Sequence, residues 1–259
     1  MKRYLTYDDV NIVPKYSELE SRGDVGLTSK LTKNVELRLP IVSSPMDTVT
    51  EYDMAKIMMD LGGVGVIHRF MSIKKQAEIV EKLWSYTFTI ADRYPVCAAV
   101  GVTEDYLERA RELVWKGCNV ILIDVAHGHH KLVGEAIEEI KKDISDIEVV
   151  AGCIATSEAA RQLCEWGVDG LRVGVGNGSL CETRIRTGVG LPSVTALLDV
   201  CSVADSYGVP VIADGGIRNV GDVCKGLGSG ADTVMVGSLL AGTKESPGSI
   251  EKKGQWPNE

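Results

Sequence analysis

One potentially nucleophilic side chain, a cysteine, lies near the end of a polar, glycine-rich segment. The sequence GVGNGSLCETR covers residues 174–184 and places Cys181 among polar neighbours. A thiolate on an accessible polar loop can act as a nucleophile toward a bound substrate. Loop amides and Arg184 would stabilise a thiolate there, whereas Glu182 would disfavour it. The residues alone leave a nucleophile and an incidental thiol equally open.

Two further glycine-containing segments have the composition of phosphate sites. DGGIR covers residues 214–218 and GSLLAG covers residues 237–242, and each directly follows an apolar run. Glycines allow backbone N–H groups to approach phosphate oxygens, and a helix that starts next adds a favourable dipole. Either segment alone would be interpreted as a plain turn. Their occurrence after two successive strands favours phosphate binding.

Charged and imidazole side chains also stand where apolar runs end. Asp124 and Asp214 each close such a run, where a carboxylate is costly unless it accepts hydrogen bonds. They could accept them from loop amides or from ribose hydroxyls. His127, His129 and His130 could bind a metal, but no carboxylate–histidine spacing supports zinc, so hydrogen bonding or solvent exposure is the favoured interpretation.

These residues need a scaffold, and a repeating strand–helix unit supplies one. A helical segment ends, a glycine follows, and a run of Val, Ile, Leu or Met begins, as expected for parallel strands buried on both faces. The pattern predicts strands within residues 61–68, 116–126, 166–176, 207–216 and 229–238, and further apolar runs at 40–46, 95–102 and 147–154 bring the predicted strands to eight. Predicted helices between them cover 51–60, 72–85, 104–116, 132–143, 157–166 and 194–207.

Eight alternating units predict an α/β fold of the (β/α)8 TIM-barrel class, with a doubly wound open sheet as the alternative. Thr50 and Asp53 have capping-box spacing at the start of the first helix. We expect residues 1–259 to form a single domain, with irregular segments at 1–39 and 243–259. The first of these crosses the barrel bottom or packs on a neighbouring subunit. No amphipathic eighth helix follows the eighth strand, which predicts one uncovered groove.

Composition excludes several classes of function. The chain of 259 residues has a formal net charge of −8, which gives no general attraction to nucleic acid or to an anionic membrane. We expect no signal peptide, since no apolar run follows the basic residues of MKRYLTYDD, and no membrane span, since no apolar run is long enough to cross a bilayer. No CxxC spacing suggests zinc, and an odd number of scattered cysteines does not suggest a disulfide framework. We therefore expect a cytoplasmic protein with cysteines at 97, 118, 153, 164, 181, 201 and 224.

At these motifs the chain resembles the IMP dehydrogenase / GMP reductase family, in order, from residue 5 to about residue 248. The matching segments are LTYDDVNIVP (5–14), PIVSSPMDTVTE (40–51), GGVGVIH (62–68), IDVAHGH (123–129), GVGNGSLCETR (174–184), GVGLPSVTA (188–196), IADGGIR (212–218) and VGSLLAGTKESPG (236–248).

The resemblance implies a purine nucleotide oxidoreductase that binds IMP, XMP or GMP, with NAD or NADP as cofactor. Cys181 would attack purine C2, assisted by Thr183. The dehydrogenase is slightly preferred over the reductase, because ADGGIR and AGTKESPG look more like the former. A non-catalytic nucleotide-binding relative is the third alternative. The implied substrate-binding residues are Ser44, Met46, Ser179, Asp214, Gly216, Gly237 and Ser238.

Further roles are implied for the cofactor and for a cation. Asp124 would face the nicotinamide riboside, with Arg172 close by. The backbone carbonyls of Gly176, Gly178 and Cys181 match a monovalent-cation site, with K⁺ as the expected ion. The resemblance also implies a homotetramer, or a partner chain that supplies the C-terminal region described next.

Three features depart from the family pattern. Cys153 stands where the family usually has asparagine, and Glu182 replaces a neutral residue. Family members continue past ESPG into a YRGM-like nucleotide loop, a mobile flap and a last helix, for which the printed sequence has no counterpart. Paired cystathionine-synthase-type regulatory domains are also absent, and residues 86–95 bridge the position where they would insert.

Overall fold

A computed structural model describes residues 3–90, 94–179 and 181–248 of the chain. A short antiparallel hairpin, β1 (Ser29–Lys30) and β2 (Glu36–Leu37), precedes a closed barrel of eight parallel strands. Closure occurs where the last strand pairs with the first barrel strand, with Val236 opposite Ser43. The TIM-barrel prediction is therefore confirmed, and the open sheet is wrong. The barrel strands are β3 (Ile41–Ser43), β4 (Val64–Ile67), β5 (Cys97–Val100), β6 (Val120–Asp124), β7 (Glu148–Ile154), β8 (Gly170–Val173), β9 (Val211–Asp214) and β10 (Thr233–Val236).

Helices cover the outside of the barrel, and the six predicted ones occur within two residues of their predicted ends. None of the helices in the described part of the chain is long and apolar enough to cross a membrane. After β10, the described chain as far as residue 248 contains turns and bends but no helix. The helices are α1 (Tyr52–Asp60), α2 (Ile73–Thr87), α3 (Tyr106–Trp115), α4 (Lys131–Asp143), α5 (Ser157–Glu165), α6 (Thr183–Thr187), α7 (Ser193–Tyr207) and α8 (Val220–Gly228).

The predicted capping box at α1 is wrong. The N-cap residue is Glu51, and it makes no side-chain cap hydrogen bond. Thr50 is fully buried, and its hydroxyl donates to the Ser44 carbonyl at 2.6 Å and lies 2.8 Å from the Ser43 hydroxyl. Burial diverts this hydroxyl from the helix to the loop after β3. Thr50 thus fixes the strand end that carries Ser44.

The N-terminal end of the barrel is sealed by residues that precede it in the chain. Leu31 and Leu37, which are 2% and 1% exposed, pack into the apolar interior with Val42, Leu122 and Met235. Backbone bonds fasten this region to the starts of the strands, for example from the Lys33 amide to the Asp169 carbonyl at 3.0 Å. Part of the segment expected to be irregular is therefore an ordered plug.

The groove expected to lack a helix is not open at the outer face of β10. Val234 and Val236, which belong to the outer apolar cluster, are 0% and 4% exposed. Tyr7 belongs to the same cluster and lies against Gly226 of α8. The expectation of an uncovered apolar strand is therefore wrong for these two valines, because N-terminal residues and α8 pack around them.

Candidate active site

At their C-terminal ends the barrel strands open into a cavity of about 430 Å³. This volume lies within the usual range for small-molecule sites. Every residue to which the family resemblance assigns a role lines it. These residues are Ser44, Met46, Asp124, Arg172, Gly176, Gly178, Ser179, Cys181, Thr183, Asp214, Gly216, Gly237 and Ser238.

Cys181 lies on the loop between β8 and α6 and is partly exposed to the cavity. Its amide donates to the Gly178 carbonyl at 3.0 Å, which closes a tight turn before the cysteine. The neighbouring Glu182 carboxylate, expected to disfavour a thiolate, forms an ion pair with Arg186 one helical turn away. The carboxylate is therefore partly neutralised on the exposed side of α6.

The predicted thiolate partner Arg184 has a structural contact instead. The glycine loop packs against its stem, since a Cβ on Gly176 would lie 3.0 Å from the Arg184 Cβ. No ion pair of its guanidinium occurs among the described residues. Stabilisation of a Cys181 thiolate by this arginine thus has no support in the geometry.

Close backbone contact brings the Cys181 loop against the end of β9. Gly174 has φ +152°, and a Cβ there would lie 1.9 Å from the Asp214 carbonyl oxygen. Only glycine can occupy such a position. Gly215 (φ +86°) is similarly close to the Gly178 amide, at 2.9 Å from its hypothetical Cβ. These contacts explain why two glycine-rich segments far apart in sequence form one wall.

A single buried arginine joins two carboxylates at the floor of the cavity. Arg172 Nη1 donates to Asp124 Oδ1 at 2.5 Å, while Nε and Nη2 both lie 2.9 Å from Asp214 Oδ2. Burial on its own would lower the pKa of Arg172, but the charges of Asp214 and Asp124 hold that pKa well above its usual range. The arginine therefore stays charged and fixes both carboxylates.

Cys153 lies beside this cluster but differs in character from Cys181. Its Sγ is 3.7 Å from Asp214 Oδ2, and the residue is 8% exposed. Burial raises the pKa of the Cys153 thiol to about 12, although the charge of Arg172 acts in the opposite direction. At neutral pH this thiol is protonated and unreactive.

The residues proposed for phosphate binding meet across the cavity. The hydroxyls of Ser179 and Ser238 are 3.4 Å apart, which joins the loops after β8 and β10. Among the hydrogen bonds of the described residues, none uses the amides of Gly216, Gly237 or Ser238 as donor. A Cβ on Gly237 would lie 3.2 Å from Ser44 Oγ, so the backbone here borders the cavity without a side chain. Hydroxyls and free amides can together bind a phosphate.

Sequence reasoning missed Arg69 and Phe70, which follow β4 and also line the cavity. Arg69 Nε is 3.9 Å from Asp124 Oδ2, and its guanidinium carbon is 5.1 Å from the centre of the Phe70 ring. The signal that could have revealed them is a basic–aromatic pair directly after the second strand.

The three histidines lie outside the cavity lining. His130 caps α4 by accepting from the Leu132 amide at 3.2 Å, and His129 Nε2 lies 2.6 Å from Gln162 Oε1. Within the described ranges, no group of three His, Cys, Asp or Glu residues could hold a metal ion. Hydrogen bonding, the favoured alternative, accounts for His129 and His130.

Comparison with known proteins agrees with this architecture. The family model described as IMP dehydrogenase / GMP reductase domain matches residues 4–256. The inosine-5'-monophosphate dehydrogenase of Cryptosporidium parvum is 42% identical, over 95% of this chain and 70% of that protein. A GMP reductase of Leishmania major is 31% identical, over 95% of this chain and 76% of that protein.

A solved structure extends the likeness to three dimensions. The crystal structure of a GMP reductase variant from Trypanosoma brucei superimposes with a TM-score of 0.92 at 30% identity, and covers 96% of this chain and 86% of that one. Family model, relatives and barrel geometry all agree, and the chain belongs to the IMP dehydrogenase / GMP reductase domain family.

Proposed function

We propose that this chain is a purine nucleotide oxidoreductase that works through Cys181. The observation that supports this proposal best is the composition of one cavity. It combines an accessible thiol, a wall of free amides and hydroxyls, and two carboxylates fixed by one arginine. A barrel enzyme that only binds a phosphate would need the free amides and hydroxyls, but it would not need a nucleophile at Cys181.

The nucleotide would lie with its phosphate against Ser179, Gly216, Gly237 and Ser238. Its ribose would bond to Asp214, whose contacts with the described residues all use Oδ2, so that Oδ1 is free to accept from hydroxyls. Ser44 and Met46 would contact the base.

In the chemical step, the Cys181 sulfur forms a bond to purine C2. This bond makes C2 tetrahedral and thereby prepares it to lose its hydrogen as hydride in the dehydrogenase direction, after which water displaces the sulfur. In the reductase direction the same attack would be followed by loss of the 2-amino group, which takes up a proton and leaves as ammonia. A hydride from the nicotinamide would then add to C2, and the Cys181 sulfur would leave as a thiol to give IMP. Thr183 also lines the cavity, and its hydroxyl is assigned to assist the chemistry at C2.

The cavity rim suits a nicotinamide cofactor, either NAD or NADP. Phe70 offers an exposed aromatic face, and Asp124 is a carboxylate oriented by Arg172 and approached by Arg69. A bound nicotinamide would supply the hydride acceptor in one direction and the hydride donor in the other. The chain's own part is to hold it through Asp124 and Arg172.

A monovalent cation, K⁺, would be held by the carbonyls of Gly176, Gly178 and Cys181. The Gly178 carbonyl already accepts from the Cys181 amide at 3.0 Å. A carbonyl oxygen has two lone pairs, so this one retains capacity for a cation. Replacing K⁺ by Li⁺ should lower turnover if the ion shapes the Cys181 turn.

Between the two activities, IMP dehydrogenase is preferred because ADGGIR and AGTKESPG resemble the dehydrogenase, and two dehydrogenase relatives reach 42% and 40% identity. Other dehydrogenases, at 32–34%, are about as similar as the reductases, at 31% and 30%, so activity must decide. The test is to incubate the purified protein separately with IMP plus NAD and with GMP plus NADPH, while following absorbance of the reduced nicotinamide. Change with the first pair alone supports the dehydrogenase, and change with the second alone supports the reductase. Nucleotide binding without either change supports a non-catalytic relative.

The same proposal extends to assembly and location. We propose a cytoplasmic homotetramer, in keeping with seven free thiols, which suit a reducing compartment. Sedimentation of the purified protein, with and without nucleotide, measures the assembly directly.

A further inference from the structure

The segment that precedes the barrel also lies against the outer side of a phosphate-binding loop. The N-terminal turn, defined as Tyr7–Asp9, contacts α8 and the loop 215–219 that leads into it. We infer that this turn is a positioning element for the nucleotide phosphate, acting through Gly216. The inference rests on the proposed function, because it requires the phosphate to bind at that loop.

Packing of the Tyr7 ring is the first observation. Tyr7 is 3% exposed, and its Cδ2 would lie 3.6 Å from a Cβ on Gly216. On its other side, the hydroxyl would lie 3.4 Å from a Cβ on Gly226 of α8. The ring therefore fills the space between the helix and Gly216, which lines the cavity and whose amide donates no hydrogen bond among the described residues. Gly216 itself has φ +81°, a conformation that glycine adopts readily, so the neighbouring Tyr7 ring limits the other conformations open to this residue.

The Tyr7 hydroxyl supports the loop neither by ionising nor by forming a hydrogen bond. It has no hydrogen-bond partner among the described residues. Burial first, and then the charges of Asp214 and Asp222, raise the pKa of Tyr7 well above its usual value, so the phenol stays neutral. A phenylalanine would fill the same space, which makes the shape of the ring its contribution to the loop.

Polar contacts hold the same loop from outside. Asp8 forms an ion pair with Arg218, and the Arg218 amide donates to Asp222 Oδ2 at 3.0 Å. Lys225 Nζ donates to the Tyr7 carbonyl at 2.8 Å, which fastens the turn to α8. The loop is thus fixed between the N-terminal turn and the first residues of α8.

Such support matters most for a ligand that binds through backbone amides. Amides held in the bound geometry lose little freedom when the phosphate arrives, whereas amides on a loosened loop must be ordered at that moment. Base and ribose contacts come from Ser44, Met46 and Asp214, which lie on other elements or on the strand itself. Loss of the ring should therefore weaken recognition of the phosphate and leave nucleoside binding nearly unchanged.

Calorimetric binding of IMP and of inosine to the full chain tests the inference. For Tyr7→Ala we expect IMP affinity to fall at least tenfold, which corresponds to about 1.4 kcal/mol, with inosine affinity changed less than about twofold. Tyr7→Phe should restore the wild-type preference for IMP. Asp143→Asn, which removes an exposed ion pair with Arg111 elsewhere on the surface, is the matched control and should change neither affinity.

Equal weakening of IMP and inosine by Tyr7→Ala would reduce Tyr7 to a structural residue and overturn the inference, as would unchanged IMP affinity. If Tyr7→Ala does not fold, the same two affinities are measured for Tyr7→Leu and Asp8→Asn, and these variants test the inference. Each must lower the IMP-to-inosine preference by about twofold or more, and an unaltered preference overturns the inference. Failure of the proposed function looks different, because the wild-type protein would then bind IMP no more tightly than inosine.

Discussion

The two ends of the barrel are built from the same eight strands and differ in almost every physical property. At the N-terminal end, Leu31 and Leu37 close a dry apolar interior. At the C-terminal end, Asp124, Arg172 and Asp214 face a cavity of about 430 Å³. Strand β6 shows the change within five residues, from buried Val120 to half-buried Asp124. The difference teaches that stability and chemistry are separated along each strand, so substitutions at the two ends should have separable effects.

The largest expected effect is at the cavity end. Cys181→Ala should lower kcat with the better substrate pair roughly a thousandfold or more, because the covalent step has no other nucleophile. The free energy of unfolding should change by less than about 0.5 kcal/mol, since the side chain is partly exposed. Rates from stopped-flow absorbance and unfolding in urea measure both. Cys224→Ala, at an exposed position on α8, is the control and should change neither.

The next effect concerns the charge cluster. Arg172→Gln removes a buried cation and leaves two half-buried carboxylates without their shared partner. Breaking a fully buried ion pair typically costs about 3–5 kcal/mol, which sets the upper bound for this variant. Stability and nucleotide affinity should both fall, because Asp214 is no longer held. Arg111→Gln, which removes a surface pair with Asp143, should cost less than about 1 kcal/mol. Equal losses for the two variants would mean that the cluster does not organise the cavity.

At the N-terminal end of the barrel, a substitution should lower stability and leave nucleotide binding nearly unchanged. Leu37→Ala removes a side chain that is 1% exposed and should cost about 2–5 kcal/mol of stability. Affinity of the folded protein for IMP should remain within about twofold of the wild type. Leu61→Ala, at a residue 63% exposed, is the matched control and should cost little. A Leu37→Ala protein with normal stability but weakened nucleotide binding would contradict the separation of the two ends.

The smallest effect is a pH dependence. Burial raises the pKa of the Cys118 thiol from about 9 to about 12. Because the folded-state pKa lies above the unfolded one, its contribution to stability is present below pH 9 and is lost as the pH rises toward 12. Each such thiol adds a slope of about 1.4 kcal/mol per pH unit in that window. Cys118→Ala should flatten the decline in urea-measured stability above pH 9. An unchanged slope would show that the thiol ionises equally well in both states.

Sequence patterns predicted the strands and helices better than they predicted the contacts between side chains. Apolar runs, five of which follow a glycine, located all eight strands, because buried parallel strands need continuous apolar residues. The site residues could be placed on one rim because the C-terminal ends of parallel strands meet there. The bridge from Arg172 to two carboxylates could not be predicted, since it depends on distances set when the barrel closes. For the same reason, no pattern of residues indicated that Tyr7 packs behind Gly216.

Local rules failed where burial redirected a polar group. Thr50 has the spacing of a helix cap but is fully buried, and its hydroxyl bonds to the loop after β3 instead. Arg69 and Phe70 were missed because neither belongs to a glycine-rich segment, although both follow a strand directly.

The central claim is that the cavity binds a purine nucleotide beside a reactive Cys181, and cysteine alkylation with peptide mapping tests it most directly. At neutral pH, Cys181 should be modified rapidly and protected by IMP or GMP. Cys153, which lines the same cavity, should stay unmodified because its thiol has a pKa of about 12. Exposed Cys224 serves as an internal reference whose labelling the nucleotide should not change. Equal labelling of Cys181 with and without nucleotide would contradict the assignment.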